Sequence, residues 1–235
     1  MTVLILLGSK GLQTRMKTMV VAGQARKVGK TSVLAALIRA LRSLGWTAVK
    51  ISRHRGRIPH LERASQRRVG REPGFLLTEE NAVSSTCDTG RFLAAGARRA
   101  LWLRVRSENF PDGFRALWQA VKKEKWIMIE SNSILDHLTP TLCLLVLDNP
   151  QRAFKASARK LLPRADAILQ MERPSGPRRN SMEAPPGIPV FSVPRDRYQT
   201  RRLLRFVRQK LELSPASRLG PSSTKRSRRV SPEQE

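Results

Sequence analysis

Nine consecutive residues, Gly23-Gln24-Ala25-Arg26-Lys27-Val28-Gly29-Lys30-Thr31, carry the most legible chemistry in this chain. They read G-x-x-x-x-x-G-K-T, the phosphate-loop pattern G-x-x-x-x-G-K-[ST] with one residue more between its glycines. A short apolar run precedes them at 19–22, and Val33, Leu34, Leu37, Ile38, Leu41 and Leu44 follow at helical spacing. The residue types suit one task. Glycines let backbone N–H groups turn inward as an anion nest at a helix N-terminus, where the helix dipole also favours negative charge. Lys30 can neutralise the outer phosphates of a nucleoside triphosphate, and the Thr31 hydroxyl can take one position on Mg2+. Gly23 to Thr31, with Ser32 next in the helix, are the candidate nucleotide-binding residues, and Lys30 is the first candidate catalytic residue.

A metal bound there needs further oxygen donors. Glu130 closes the apolar run 126–129, the place where a strand-end carboxylate holds a metal ion directly or through water; a solvated strand end is the alternative. Asp88 stands ahead of a short helix, where it suits an N-cap or a metal-linked role, and one residue can perform both. Lys50 and Asp148 also end apolar runs. That position falls on the carboxyl edge of a parallel sheet, where ligands bind in open α/β folds, although a salt bridge would explain either residue as well.

These residues must be positioned by alternating elements. Strands are expected at 19–22, 46–51, 101–105, 126–129, 142–147, 167–169 and 189–193, and helices at 33–44, 89–97, 114–121, 154–162 and 200–211, with Gly45 as a C-cap. The first strand, glycine loop, helix and second strand make a βαβ unit of about 30 residues, parallel and right-handed. About seven short strands alternating with helices predict an α/β fold: a doubly wound, mainly parallel sheet with helices on both faces. The reading divides the chain into an N-terminal arm at 1–17, a nucleotide-binding domain at 18–213 and a basic Ser/Arg/Pro tail at 214–235 that lacks the apolar content to fold. Within the domain, residues 52–87 read as an irregular basic insertion and 172–187 as a Pro/Arg/Ser loop.

Composition sets outer bounds. The 235 residues include 45 Lys and Arg against 18 Asp and Glu, a net charge of +27, with 40% hydrophobic and 5% aromatic residues. That apolar share excludes a wholly disordered basic protein, and no apolar run reaches the roughly 18 to 20 residues that span a bilayer. Cys87 and Cys143 have no CxxC or CxxH spacing, so neither a disulfide framework nor a zinc knuckle is implied. The apolar stretch 3–7 is short and lacks a basic lead and a cleavage site, so no signal peptide is read and a cytoplasmic protein is expected. The charge predicts nonspecific adhesion to polyanions and is silent about fold.

Three stretches in order resemble the molybdopterin-guanine dinucleotide biosynthesis protein B (MobB) family: residues 20–51, the segment Asp88-Thr89-Gly90-Arg91-Phe92-Leu93-Ala94-Ala95-Gly96-Ala97, and the strand Trp126-Ile127-Met128-Ile129-Glu130. The D-[ST]-x-R…A-G-A element discriminates better than the phosphate loop, because generic nucleotide-binding proteins lack it. The resemblance implies a GTP-binding protein, usually dimeric, that hydrolyses nucleotide slowly and assists attachment of a guanine nucleotide to molybdopterin. It implies Mg2+ and GTP ahead of ATP as ligands, and molybdopterin or a cofactor-transferring protein as partner. Lys30 and Thr31 would hold phosphate and Mg2+, with Asp88 and Glu130 on the metal and γ-phosphate side. The chain also departs from the family. Glu130 continues as Ser131-Asn132-Ser133 where the family has Glu-Gly, the His-rich segment after the second strand is reduced to Ser52-Arg53-His54-Arg55, and no N-K-x-D occurs.

Two other readings stay open. The loop with Lys50 closing the next strand also looks like dethiobiotin synthetase, an ATP-dependent ligase, although the Glu-Gly-Ala-Gly-Gly-like continuation of that enzyme is missing. A non-enzymatic nucleic-acid-binding protein would use the seven Arg from Arg53 to Arg71 and the tail Lys225-Arg226-Ser227-Arg228-Arg229 for salt-sensitive phosphate contacts. No aromatic side chains are interleaved there to stack bases.

Overall fold

The computed structural model describes residues 16–58, 66–72, 74–148, 160–172 and 185–213. Side-chain alternation in β1 (Lys17–Gly23) decides the layering. Met19 and Val21 enter one apolar cluster while Val20 and Ala22 enter the other, all fully buried, so the strand is covered on both faces. On the first face lie α1 (Lys30–Ala40), α2 (Asp88–Ala94) and α4 (Arg201–Lys210), which contribute Leu34, Leu37, Phe92, Leu203 and Val207. On the second lies α3 (Phe110–Val121), which places Phe110, Phe114, Leu117 and Val121 one helical turn apart against the sheet.

The remaining strands are β2 (Thr47–His54), β3 (Gln66–Glu72), β4 (Phe75–Glu80), β5 (Arg99–Arg106), β6 (Trp126–Glu130), β7 (Leu142–Leu147), β8 (Ala167–Met171) and β9 (Val190–Val193). Among the described residues they form one sheet in the order β3-β4-β5-β2-β6-β1-β7-β8-β9. Strand β4 alone runs opposite to the rest, so its pairings with β3 and β5 are antiparallel and every other pairing is parallel. The fold is the expected three-layer α/β architecture, with nine strands in place of about seven.

The two additional strands lie within residues 52–87, so much of that stretch is regular. Strand β4, Phe75-Leu76-Leu77-Thr78-Glu79-Glu80, is buried along its whole length, and its two glutamates hide it from a search for apolar runs. They tolerate burial because partners arrive from elsewhere. Arg99 and Arg67 pair with Glu79, while Gln66 and Thr89 donate to Glu80, each at 3.2 Å. Strand β2 likewise continues past Ile51 to His54.

Smaller features follow the local sequence. Gly45 takes a left-handed φ of 66° where the chain turns into β2, and the Thr200 side chain accepts from the Leu203 amide to cap α4. Lys17, assigned to the arm, already belongs to β1. Most of the helix expected at 154–162 lies outside the described residues, with a 3-10 turn at Leu162–Arg164, as do most of the loop 172–187 and the whole tail 214–235. Among the described residues, no helix is long and apolar enough to cross a membrane.

Candidate functional site

Strand register brings the site together. Val21 of β1 pairs with Glu130 of β6, and Glu130 in turn lies opposite Lys50 of β2. The parallel strands therefore deliver the end of β1, the carboxylate and the lysine to one point on the carboxyl edge, although 109 positions separate Gly23 from the Asn132 beside it.

The loop after β1 folds as its glycines require. A Cβ on Gly23 would stand 2.8 Å from Val28 Cγ2 and 2.9 Å from the Lys30 side chain, so only glycine allows the chain to double back there. Gly29 takes a φ of 100° and Lys27 a φ of 60°, the left-handed steps that turn successive amides inward. Gly29 also precedes α1 with no side-chain cap, which leaves the first turn of that helix available to an anion. Lys30 Nζ meanwhile donates to the Ala25 carbonyl across the loop at 2.8 Å.

An open cleft of about 930 Å3 lies over this edge. Of the residues singled out from sequence, Ala25, Arg26, Lys27, Gly29, Lys30, Thr31, Ser32 and Lys50 line it, as do Asp88 and Glu130. Gly23, Gln24 and Val28 are buried beneath the loop and serve its shape.

The polar groups form a continuous chain. The Thr31 hydroxyl donates to Glu130 Oε2 at 2.7 Å. Lys50 Nζ lies 3.6 Å from Glu130 Oε1 and also bonds to Asp88. Asp88 Oδ1 is 3.8 Å from Arg91 Nη1, and Arg91 Nη2 donates to Ser32 Oγ at 3.0 Å, closing the path back to α1. The α2 cap is Cys87, whose sulfur accepts from the Gly90 amide at 3.3 Å; this corrects the N-cap alternative for Asp88 and leaves its carboxylate to Lys50 and Arg91. Asp148 is not in the cleft. Arg195 binds it, so the salt-bridge alternative describes its place.

Several cleft residues went unassigned in the sequence. Asn132 grips Gly23 in both directions: its Oδ1 accepts from the Gly23 amide at 2.9 Å, and its Nδ2 donates to the Gly23 carbonyl at 2.8 Å. Its position two residues after Glu130 was the available signal. Arg195 and Tyr198 line the cleft from the segment after β9, where no local motif marks them. His54 forms part of the far wall, its imidazole pushed below its ordinary value by burial and then by the nearby Arg104 and Arg26 charges.

Mg2+ fits this donor set. A hydroxyl and carboxylates are hard oxygen ligands, and Mg2+ characteristically takes one or two protein oxygens and completes its shell with substrate phosphates and water. Among the described residues, no group of three or more His, Cys, Asp or Glu side chains forms an all-protein cage.

Fold and loop together define an α/β protein with a phosphate loop at the carboxyl edge of a mainly parallel sheet. No protein-family model matches the chain, and no curated protein matches it. Among solved structures it is similar to HypB from Helicobacter pylori, solved in complex with nickel, at TM-score 0.47 and 14% identity over 86% of this chain and 89% of that one. It is also similar to the "apo" form of LpxK from Aquifex aeolicus, solved in complex with ATP, at TM-score 0.46 and 16% identity over 75% of this chain and 53% of that one.

Proposed function

We propose that the cleft binds a nucleoside triphosphate with Mg2+ and hydrolyses it slowly, in a MobB-like accessory role in assembling molybdopterin guanine dinucleotide. The observation that carries the nucleotide reading is the contact between Thr31 and Glu130, the loop hydroxyl and the strand-end carboxylate, at 2.7 Å. GTP takes precedence over ATP because of the family resemblance.

In this reading the loop amides and Lys30 hold the β- and γ-phosphates. Thr31 and Glu130 would hold Mg2+, with Asp88 close by; when bound, the ion neutralises charge that develops on the phosphate oxygens. Lys50, in contact with both carboxylates, balances their charge and places an ammonium on the γ-phosphate side. Arg91 holds Asp88 in position. The attacking water is oriented by Glu130 and Asp88, the only carboxylates in the chain of contacts from Thr31 to Arg91.

Thermal denaturation tests the binding step. Mg-GTP at a hundredfold excess over Kd should add about 2.7 kcal/mol of stability, seen as a rise in Tm, and Lys30→Ala should abolish the rise. An unchanged melting curve for the natural protein at millimolar nucleotide would falsify the nucleotide reading. Calorimetry with GTP, ATP and free molybdopterin then tests the finer role, which requires GTP to bind more tightly than ATP and molybdopterin to bind the GTP-loaded protein.

A further inference from the structure

The chain lacks N-K-x-D, yet its cleft runs on past the phosphate loop to residues that could read a base. We infer that the nucleobase is held by the ring of Tyr198 and the guanidinium of Arg195, and that Arg195 selects a purine with a carbonyl at C6, guanine, over adenine. This rests on the nucleotide reading above and adds the base subsite to it.

The direction of the ligand comes from sheet order. Glu130 and Lys50 end β6 and β2, on one side of β1, whereas Arg195 and Tyr198 follow β9, on the opposite side of β1 beyond β7 and β8. A triphosphate seated on the loop with its γ-phosphate toward Glu130 therefore sends its nucleoside toward Tyr198 and Arg195.

Tyr198 is held at that spot. Its backbone takes a φ of 56°, a left-handed conformation that non-glycine residues rarely adopt and that persists where surrounding structure enforces it, often at ligand sites. The enforcing bond runs from the Tyr198 amide to the Pro194 carbonyl at 2.8 Å. The ring is delivered to the start of α1, with Cε1 3.5 Å from the position of a Cβ on Gly29. An aromatic face beside the phosphate loop is a stacking platform for any base.

Arg195 supplies the selectivity. Its Nε donates to the Glu172 carbonyl at 3.0 Å and its Nη2 bonds to Asp148, so the guanidinium plane is fixed from behind. Those anchors use part of a five-donor fork, and the side chain remains 33% exposed at the cleft. Guanine presents two acceptors, O6 and N7, to such a fork, whereas adenine presents its N6 amino group, a donor facing donors. Asp148 acts as a positioning residue for Arg195.

Calorimetry in Mg2+ with tripolyphosphate, GTP, ITP and ATP tests the assignment. ITP has the C6 carbonyl without the 2-amino group, so it should bind within about threefold of GTP, with ATP about tenfold or more weaker. Because Arg195→Met strands the Asp148 carboxylate, the Arg195→Met/Asp148→Asn double variant is measured beside it. Both should lose about tenfold to a hundredfold in GTP and ITP affinity and leave tripolyphosphate unchanged. Tyr198→Gly, which relaxes the backbone, should weaken every nucleotide about tenfold while the ligand-free Tm holds or rises. Equal GTP and ATP binding in the natural protein, or an unchanged GTP-to-ATP ratio in the double variant, overturns the base subsite while tripolyphosphate binding leaves the phosphate-loop reading standing. Failure of tripolyphosphate and all three nucleotides to bind overturns both.

Discussion

The Thr31 hydroxyl reaches Glu130 across 99 positions of sequence and donates to its Oε2 at 2.7 Å. Parallel pairing of β1 with β6 makes that contact, since the register places Glu130 beside Val21 just ahead of the loop. Thr31→Val keeps the shape and removes the hydroxyl. Its cost in folding should be about 1 kcal/mol, because Glu130 keeps Lys50 as a partner. GTP binding should then become nearly the same with Mg2+ as with EDTA. A variant that retains the full Mg2+ dependence removes Thr31 from the metal's ligands.

Glu130→Gln and Asp88→Asn separate holding the nucleotide from turning it over. Each amide keeps an acceptor for its neighbour, Thr31 in one case and Lys50 in the other. GTP affinity should change by a few-fold only, while hydrolysis falls by about 10²-fold or more. Turnover equal to that of the natural protein would assign both carboxylates to structure alone.

How far the sequence could be read depended on how local each feature is. The phosphate loop, Glu130 and Lys50 stand out because a strand, its end residue and the following turn sit together in the chain. Asn132, Arg195 and Tyr198 gain their places only when β6 lies against β1 and the segment after β9 crosses to α1, and no short window of sequence contains that pairing. Strand β4 escaped for another reason. Glu79 and Glu80 break its apolar run, and what makes them tolerable, Arg99 on β5 and Gln66 on β3, is remote in sequence. The cap alternative for Asp88, open beside its metal-linked role, arose because caps are usually Asp, Asn, Ser or Thr, yet the Cys87 sulfur takes the Gly90 amide.

Gly90 tests how tightly α2 must sit to place Asp88. A Cβ there would lie 2.6 Å from Ser84 Cβ and 2.9 Å from the Ser84 backbone, and a backbone neighbour cannot rotate away. Gly90→Ala should cost about 1–3 kcal/mol in urea denaturation. It should also lower GTP hydrolysis, since pushing 81–86 off α2 shifts Asp88 relative to Lys50. Unchanged turnover at reduced stability would show that Asp88 needs no such precision.

The strongest pH dependence of stability should come from Glu79. Arg99 grips it with two nitrogens, Nε at 2.7 Å and Nη2 at 3.1 Å, and reaches Glu124 with Nη1 at 2.8 Å. The Arg99 hydrogen bond is the main force holding the Glu79 carboxyl below its ordinary 4.5, against the upward push of burial. A lowered carboxylate value stabilises the fold above the unfolded-state value and loses that contribution as pH falls through the folded-state value. The Glu79 contribution to the unfolding free energy should therefore be flat near neutrality and decline in acid below about 4.5. Arg99→Met leaves Glu79 with Arg67 and Glu124 with Arg98 as remaining partners, and the lost charged hydrogen bonds should cost about 1.5–3 kcal/mol at pH 7. Because protonation relieves those carboxylates, the gap between variant and natural protein should narrow as the solution is acidified. Urea titrations at pH 7, 5 and 3.5 measure it, and a gap that stays constant across them would place the stabilising role of Arg99 in packing and not in charge.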